Sequence, residues 1–152
     1  MKYLIALLFV ISITFSQSSL AASFQDELKK ANQGNPEAQY MLGLKKAVRQ
    51  DYAEAIKWFK LAADQGNPGA QSNLGFLYEN GFGVRQDYAE AFKWYKLSAD
   101  QGNAYGQFYL GTLYFYGQGV RQDYVEAKEW FGKSCDNGFQ MGCKEYRALN
   151  NL

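Results

Sequence analysis

Histidine is absent from the 152-residue chain, and cysteine and proline occur only twice each. Without imidazole, the metal sites and acid–base mechanisms that depend on it are excluded. Two cysteines also fall short of the four ligands of a structural zinc site, and no cofactor is expected. Neither sign of charge is in excess, since 16 Lys and Arg face 15 Asp and Glu. That balance gives no basic footprint for nucleic acid and no acidic tail for a basic partner. No stretch alternates apolar and polar residues with a period of two, so no sheet is expected. Aromatic residues, by contrast, are plentiful, with 11 Phe, 12 Tyr and 3 Trp in a chain that is 47% hydrophobic. This composition suits one folded domain rather than a disordered segment.

One long apolar run lies near the start, from Leu4 to Phe15, broken by Ser12 and Thr14. Lys2 precedes it and Ser19-Leu20-Ala21-Ala22 follows. The pattern reads as a signal peptide over residues 1–21, cleaved after Ala21. As a helix the run would rise about 18 Å, too little for a hydrocarbon core of about 30 Å. The mature protein is therefore expected to be periplasmic or secreted, near neutral, and without a membrane span.

The rest of the chain repeats itself. Asp51-Tyr52-Ala53-Glu54-Ala55 recurs at Asp87 and, with Val125 in place of alanine, at Asp123, a spacing of 36 residues. Trp58, Trp94 and Trp130 keep the same interval, as do Gly66, Gly102 and Gly138. Leu42-Gly43 lies only 32 residues before Leu74-Gly75, so the first unit has lost four residues, expected between Gly43 and Val48. The division that follows is a capping helix at 22–34, a shortened repeat at 35–66, repeats at 67–102 and 103–138, and a second capping helix at 139–152.

Each unit reads as two helices. Asn35-Pro36 and Asn67-Pro68 supply an N-cap followed by proline in the first turn. Ala70, Leu74 and Tyr78 then mark one face of a helix that ends at Asn80-Gly81-Phe82-Gly83. The second helix begins at Asp87 and carries Ala91, Trp94, Tyr95 and Ser98 inward. Asp51 with Glu54, Asp87 with Glu90 and Asp123 with Glu126 are expected to form capping boxes. Gly75 and Ala91 are expected where two helix backbones meet. Hairpins of this size bury their apolar faces only against neighbouring hairpins.

The unit Ala70-Gln71-x-x-Leu74-Gly75-x-x-Tyr78-x-x-Gly81-x-Gly83-Val84-x-x-Asp87, with Ala91, Trp94, Ala99 and Gly102, resembles the Sel-one-like repeat, a relative of the tetratricopeptide repeat. The resemblance implies an all-α fold, a right-handed superhelical solenoid of antiparallel helix pairs, and a binding role rather than catalysis. Cys135 and Cys143, with seven residues between them, resemble the spacing in the cysteine-rich secreted Helicobacter members of that family. A disulfide is implied, and an exported chain with an even cysteine count agrees with it.

Some relatives have been linked to β-lactam binding, which makes a β-lactam-binding or β-lactamase-like cell-wall enzyme the alternative function. No serine after residue 21 has a lysine three positions on, so the S-x-x-K nucleophile of that chemistry is missing. Neither G-x-S-x-G nor a P-loop occurs.

The remaining candidate is a surface. If the units stack as in tetratricopeptide repeats, the first helix of each lines a concave side. Counting from Leu74-Gly75, the inward variable positions are Ser72, Asn73, Phe76, Glu79 and Asn80 in the middle unit. In the last unit they are Tyr105, Phe108, Tyr109, Thr112, Phe115 and Tyr116, and in the first Tyr40, Met41 and Leu44. Tyr40, Phe76, Tyr105, Phe108, Tyr109, Phe115 and Tyr116 are the candidate partner-binding residues, since aromatics beyond the needs of a core suggest a peptide groove. Phe108 and Tyr109 have a second reading, as cover for the open end of the stack. The expected partner is another exported or envelope protein or peptide. An immunity-type inhibitor is one form of that function, because some relatives neutralise toxic effectors in the periplasm.

Overall fold

The computed structural model describes residues 22–151. The expected signal peptide at 1–21 lies outside the described residues. Helix α1 spans 22–32. Six helices of equal length follow: α2 (Pro36–Val48), α3 (Tyr52–Asp64), α4 (Pro68–Asn80), α5 (Tyr88–Asp100), α6 (Ala104–Tyr116) and α7 (Tyr124–Asp136). Helix α8 (Gln140–Asn150) closes the row. Among the described residues there is no strand, and no helix is long and apolar enough to cross a membrane.

Local chemistry sets the boundaries. The carbonyl oxygens of Asn35, Asn67 and Asn103 accept from the amides of Ala38, Ala70 and Gly106 at 2.8–2.9 Å, so the first helix of every pair has the same cap. The second helices differ from expectation. Asp87 and Asp123 cap Glu90 and Glu126, but no reciprocal bond completes a box. Their own amides donate to Tyr78 and Tyr114, and the Glu90 carboxylate turns to Lys93 at 2.7 Å. Asp51 makes no side-chain cap at all, and its carboxylate meets Lys46.

The difference at Asp51 traces to the shortened first unit. Helix α2 keeps all 13 residues, so the four-residue loss falls after Val48 rather than between Gly43 and Val48. Residues 49–51 join α2 to α3, where residues 81–87 and 117–123 join the later pairs. Gln50 makes the tight turn at φ +61°. In the longer loops, Gly83 and Gly119 sit at φ +69° and +68° with their backbones pressed on the start of the second helix one pair back. A Cβ on Gly83 would lie 2.7 Å from the Tyr52 carbonyl carbon, and one on Gly119 would strike Tyr88, so glycine is required twice over.

The core lies between the helices in successive clusters. Ala55, Phe59, Ala62, Ala63, Ala70, Leu74 and Leu77 bury one section, and Ala91, Tyr95, Ala99, Leu110, Leu113 and Trp130 the next. Gly75, expected where two helix backbones meet, does not serve backbone contact, and neither does Gly43, whereas at Gly111 a Cβ would also lie 3.1 Å from the Ala127 carbonyl oxygen. Each leaves room for one aromatic ring of the paired helix, Phe59, Tyr95 and Phe131. Backbones do approach at Gly106, where a Cβ would sit 3.0 Å from the Ala99 nitrogen.

A polar ladder crosses the same interior. The buried Gln39, Gln71 and Gln107 amides donate to the carbonyls of Ala31, Ala63 and Ala99 at 3.0–3.2 Å. Their side-chain oxygens accept from Gln65, Gln101 and Asn137 at 2.7–2.9 Å. Each rung satisfies a late carbonyl of the helix before a pair and ties that helix to the pair that follows. Successive helices pack in chain order, and α4 also packs on α2 and α6. The first helices therefore form the inner side of the row. At its end, Cys135 and Cys143 form a disulfide across the α7–α8 turn, with Cα atoms 4.4 Å apart.

Candidate partner-binding groove

Three first helices meet along the inner side and leave a groove of about 500 Å³. Tyr40 and Leu44 of α2, Gly69, Ser72, Asn73 and Phe76 of α4, and Asn103, Tyr105 and Tyr109 around α6 line it. The wall is built from below. Gly69 clears space for Tyr40, because a Cβ there would lie 2.9 Å from the end of the ring. Tyr109 stacks on buried Tyr95 at 5.2 Å with 14° between ring planes. The Tyr95 hydroxyl in turn donates to Glu79 at 2.6 Å. Phe76 contacts Tyr109 at 6.4 Å and Phe82 at 6.0 Å, and Phe82 stacks on Tyr52 at 5.0 Å. A line of rings thus runs from the first pair to the last.

Burial raises the phenol of Tyr109 above its usual range, and the nearby negative charge of Glu79 raises it further. Burial followed by Glu37 does the same at Tyr40. Burial also lifts Glu79, against the pull of the Tyr95 hydrogen bond. Tyr40 and Tyr109 therefore face the groove as neutral hydroxyls, able to donate or accept.

The seven candidate residues divide. Tyr40, Phe76, Tyr105 and Tyr109 line one groove, and Tyr105 is 56% exposed. Phe108 does not join them. It is 8% exposed, with Phe131 at 5.5 Å and Phe139 at 5.2 Å, and so covers the end of the stack. Phe115 and Tyr116 sit at the far end of α6, where Phe115 packs edge-on to Tyr124 at 5.2 Å and Tyr116 is 63% exposed. Neither is among the groove residues. Ser72 and Asn73 do line the groove, whereas Asn80 folds back onto the Phe76 carbonyl. Sequence reasoning passed over Gly69, Asn103, Phe82 and Tyr52. Gly69 had a visible signal, being a glycine inside an otherwise regular helix. Among the described residues no group of three acidic or cysteine side chains could hold a metal ion.

Matches to known proteins agree with this architecture. The Sel1 repeat family model matches residues 36–67, 68–103 and 104–139. A protective antigen of uropathogenic Escherichia coli strains displaying an SLR fold is 44% identical over 78% of this chain, with a TM-score of 0.76. This chain spans 26% of the length of that antigen. A Sel1 repeat protein from Oxalobacter formigenes is 34% identical, with a TM-score of 0.76, covering 83% of this chain and 98% of its own. Helicobacter pylori cysteine rich protein B, 22% identical with a TM-score of 0.65, covers 83% of this chain and 93% of its own and shares the fold. No curated protein matches the chain. Three tandem units and the structures they resemble establish that the chain belongs to the Sel1 repeat family.

Proposed function

We propose that the chain is a non-catalytic scaffold of the cell envelope or secreted space that holds a segment of another exported protein in its inner groove. The observation that carries this reading is the convergence of Tyr40, Phe76, Tyr105 and Tyr109, from three successive units, on one groove of about 500 Å³. Rigid amphipathic rings give contact area and hydrogen bonding at little conformational cost. An aromatic groove of this kind suits an extended or helical segment. The α7–α8 disulfide supports an oxidising compartment, where such bonds persist. An immunity-type inhibitor is one form of this function, with a toxic effector as the partner held.

Site-specific photo-crosslinking in cells tests the reading. A photoreactive residue at Tyr105, in the groove, is expected to capture a discrete partner. The same residue at Val125, 77% exposed on α7, is expected to capture none. Equal capture at both positions, or none at either, would overturn it.

A further inference from the structure

No charged side chain of either sign lines the groove itself. Lys45, adjacent to Leu44, is turned to Glu27 and lies over the Phe24 ring. Two carboxylates stand behind the aromatic wall. Glu79 lies one turn beyond Phe76, and its carboxylate accepts from the Tyr95 hydroxyl. Glu37 lies one turn before Tyr40 and accepts from Asn67 at 3.2 Å. Among the described residues neither forms an ion pair. Both lie near enough to be felt there, since after burial their negative charges raise the phenols of Tyr40 and Tyr109 further. Glu37 is exposed and Glu79 half-buried; an uncompensated carboxylate in the setting of Glu79 is costly, and a cation brought nearby relieves that cost. The ring faces add to it, because their negative quadrupole attracts a cation within about 6 Å.

We infer that the groove takes a Lys or Arg side chain of the partner segment, its cationic head among Tyr40, Phe76, Tyr105 and Tyr109 and its charge balanced by Glu37 and Glu79. This rests on the groove-binding reading above. The apolar stem of such a residue lies against Leu44 and the rings while the head meets the hydroxyls. An acidic side chain in the same place would meet two unpaired carboxylates and is rejected.

The test is panning of random seven-residue phage-displayed peptides on the full oxidised chain, followed by titration of selected synthetic peptides. Selected peptides are expected to be enriched in Lys or Arg and to lose binding with Tyr105→Ala. Glu79→Gln, whose carboxamide still accepts from Tyr95, is expected to weaken them about two- to fivefold, and the Glu37→Gln/Glu79→Gln double variant about tenfold. A thermal melt confirms that each variant is folded. Peptides that depend on Tyr105 yet are neutral or acidic, or are indifferent to both Glu→Gln changes, would overturn the cation inference and leave groove binding standing. A selection that yields no Tyr105-dependent peptide would overturn both.

Discussion

The Tyr95 ring fills the space that Gly75 leaves open. A Cβ on Gly75 would stand 2.6 Å from two ring carbons, and the far end of the ring is held by the hydrogen bond from its hydroxyl to Glu79. The same fit recurs between Gly43 and Phe59 and between Gly111 and Phe131.

Gly75→Ala is therefore expected to destabilise the fold by about 1–3 kcal/mol, the usual cost of overpacking a closed core. Urea unfolding followed by circular dichroism would show a lower midpoint with an unchanged slope. An unchanged midpoint would show that the ring can yield.

Phe108→Ala and Tyr105→Ala separate core from groove. The first removes a buried ring from the junction with α7 and Phe139, at about 3–4 kcal/mol. The second removes a half-exposed ring that touches only Phe139 among its aromatic neighbours, at about 1 kcal/mol. Chemical denaturation of the two variants checks the order.

Glu79 has its carboxyl raised above 4.5 by burial, so its ionised form weakens the native state. That cost is fully present above the native value and fades as the pH falls from it towards 4.5. Glu79→Gln keeps the Tyr95 hydrogen bond and carries no such cost. Its melting temperature is expected to exceed that of the parent chain near pH 7, with the gap closing as the pH approaches 4.5. A gap that widens on acidification would contradict the assignment.

Tyr95→Phe removes the hydroxyl that donates to the Glu79 carboxylate and leaves the ring in place. A loss of about 1–2 kcal/mol is expected, together with a further rise in the Glu79 titration followed by NMR.

Reduction of Cys135–Cys143 opens a short closed loop and should cost about 2.5 kcal/mol. Helix α8 has a helical neighbour on one side, at α7. Hydrogen exchange is expected to speed up first in α8 and to leave α4 and α5 unchanged.

Much of this was legible in the residues. The Asn caps and the helix pairs follow from spacing, and four of the seven groove candidates, Tyr40, Phe76, Tyr105 and Tyr109, from a 3.6-residue period together with the stacking that the family resemblance implied. Depth was not legible. Phe108 adjoins Tyr109 in sequence, yet Phe139 arrives from the next unit to cover it, and no periodicity within α6 reports that. Asp51 matches Asp87 and Asp123 by letter but not by backbone, since the shorter link brings it in at ψ 63° rather than the extended angle of the other two. The glutamine ladder repeats visibly at Gln39, Gln71 and Gln107, but glutamine is ordinarily a surface residue and its burial follows from stacking.

The seats of Gly83 on Tyr52 and of Gly119 on Tyr88 give the row a direction. Pair two latches onto pair one, and pair three onto pair two, while the three-residue link after α2 carries no latch. Units trimmed from the C-terminal side leave every remaining latch seated, whereas trimming from the other side strands a loop without its seat. Shortening or lengthening this array is thus a one-ended operation, open at the end that the disulfide now seals.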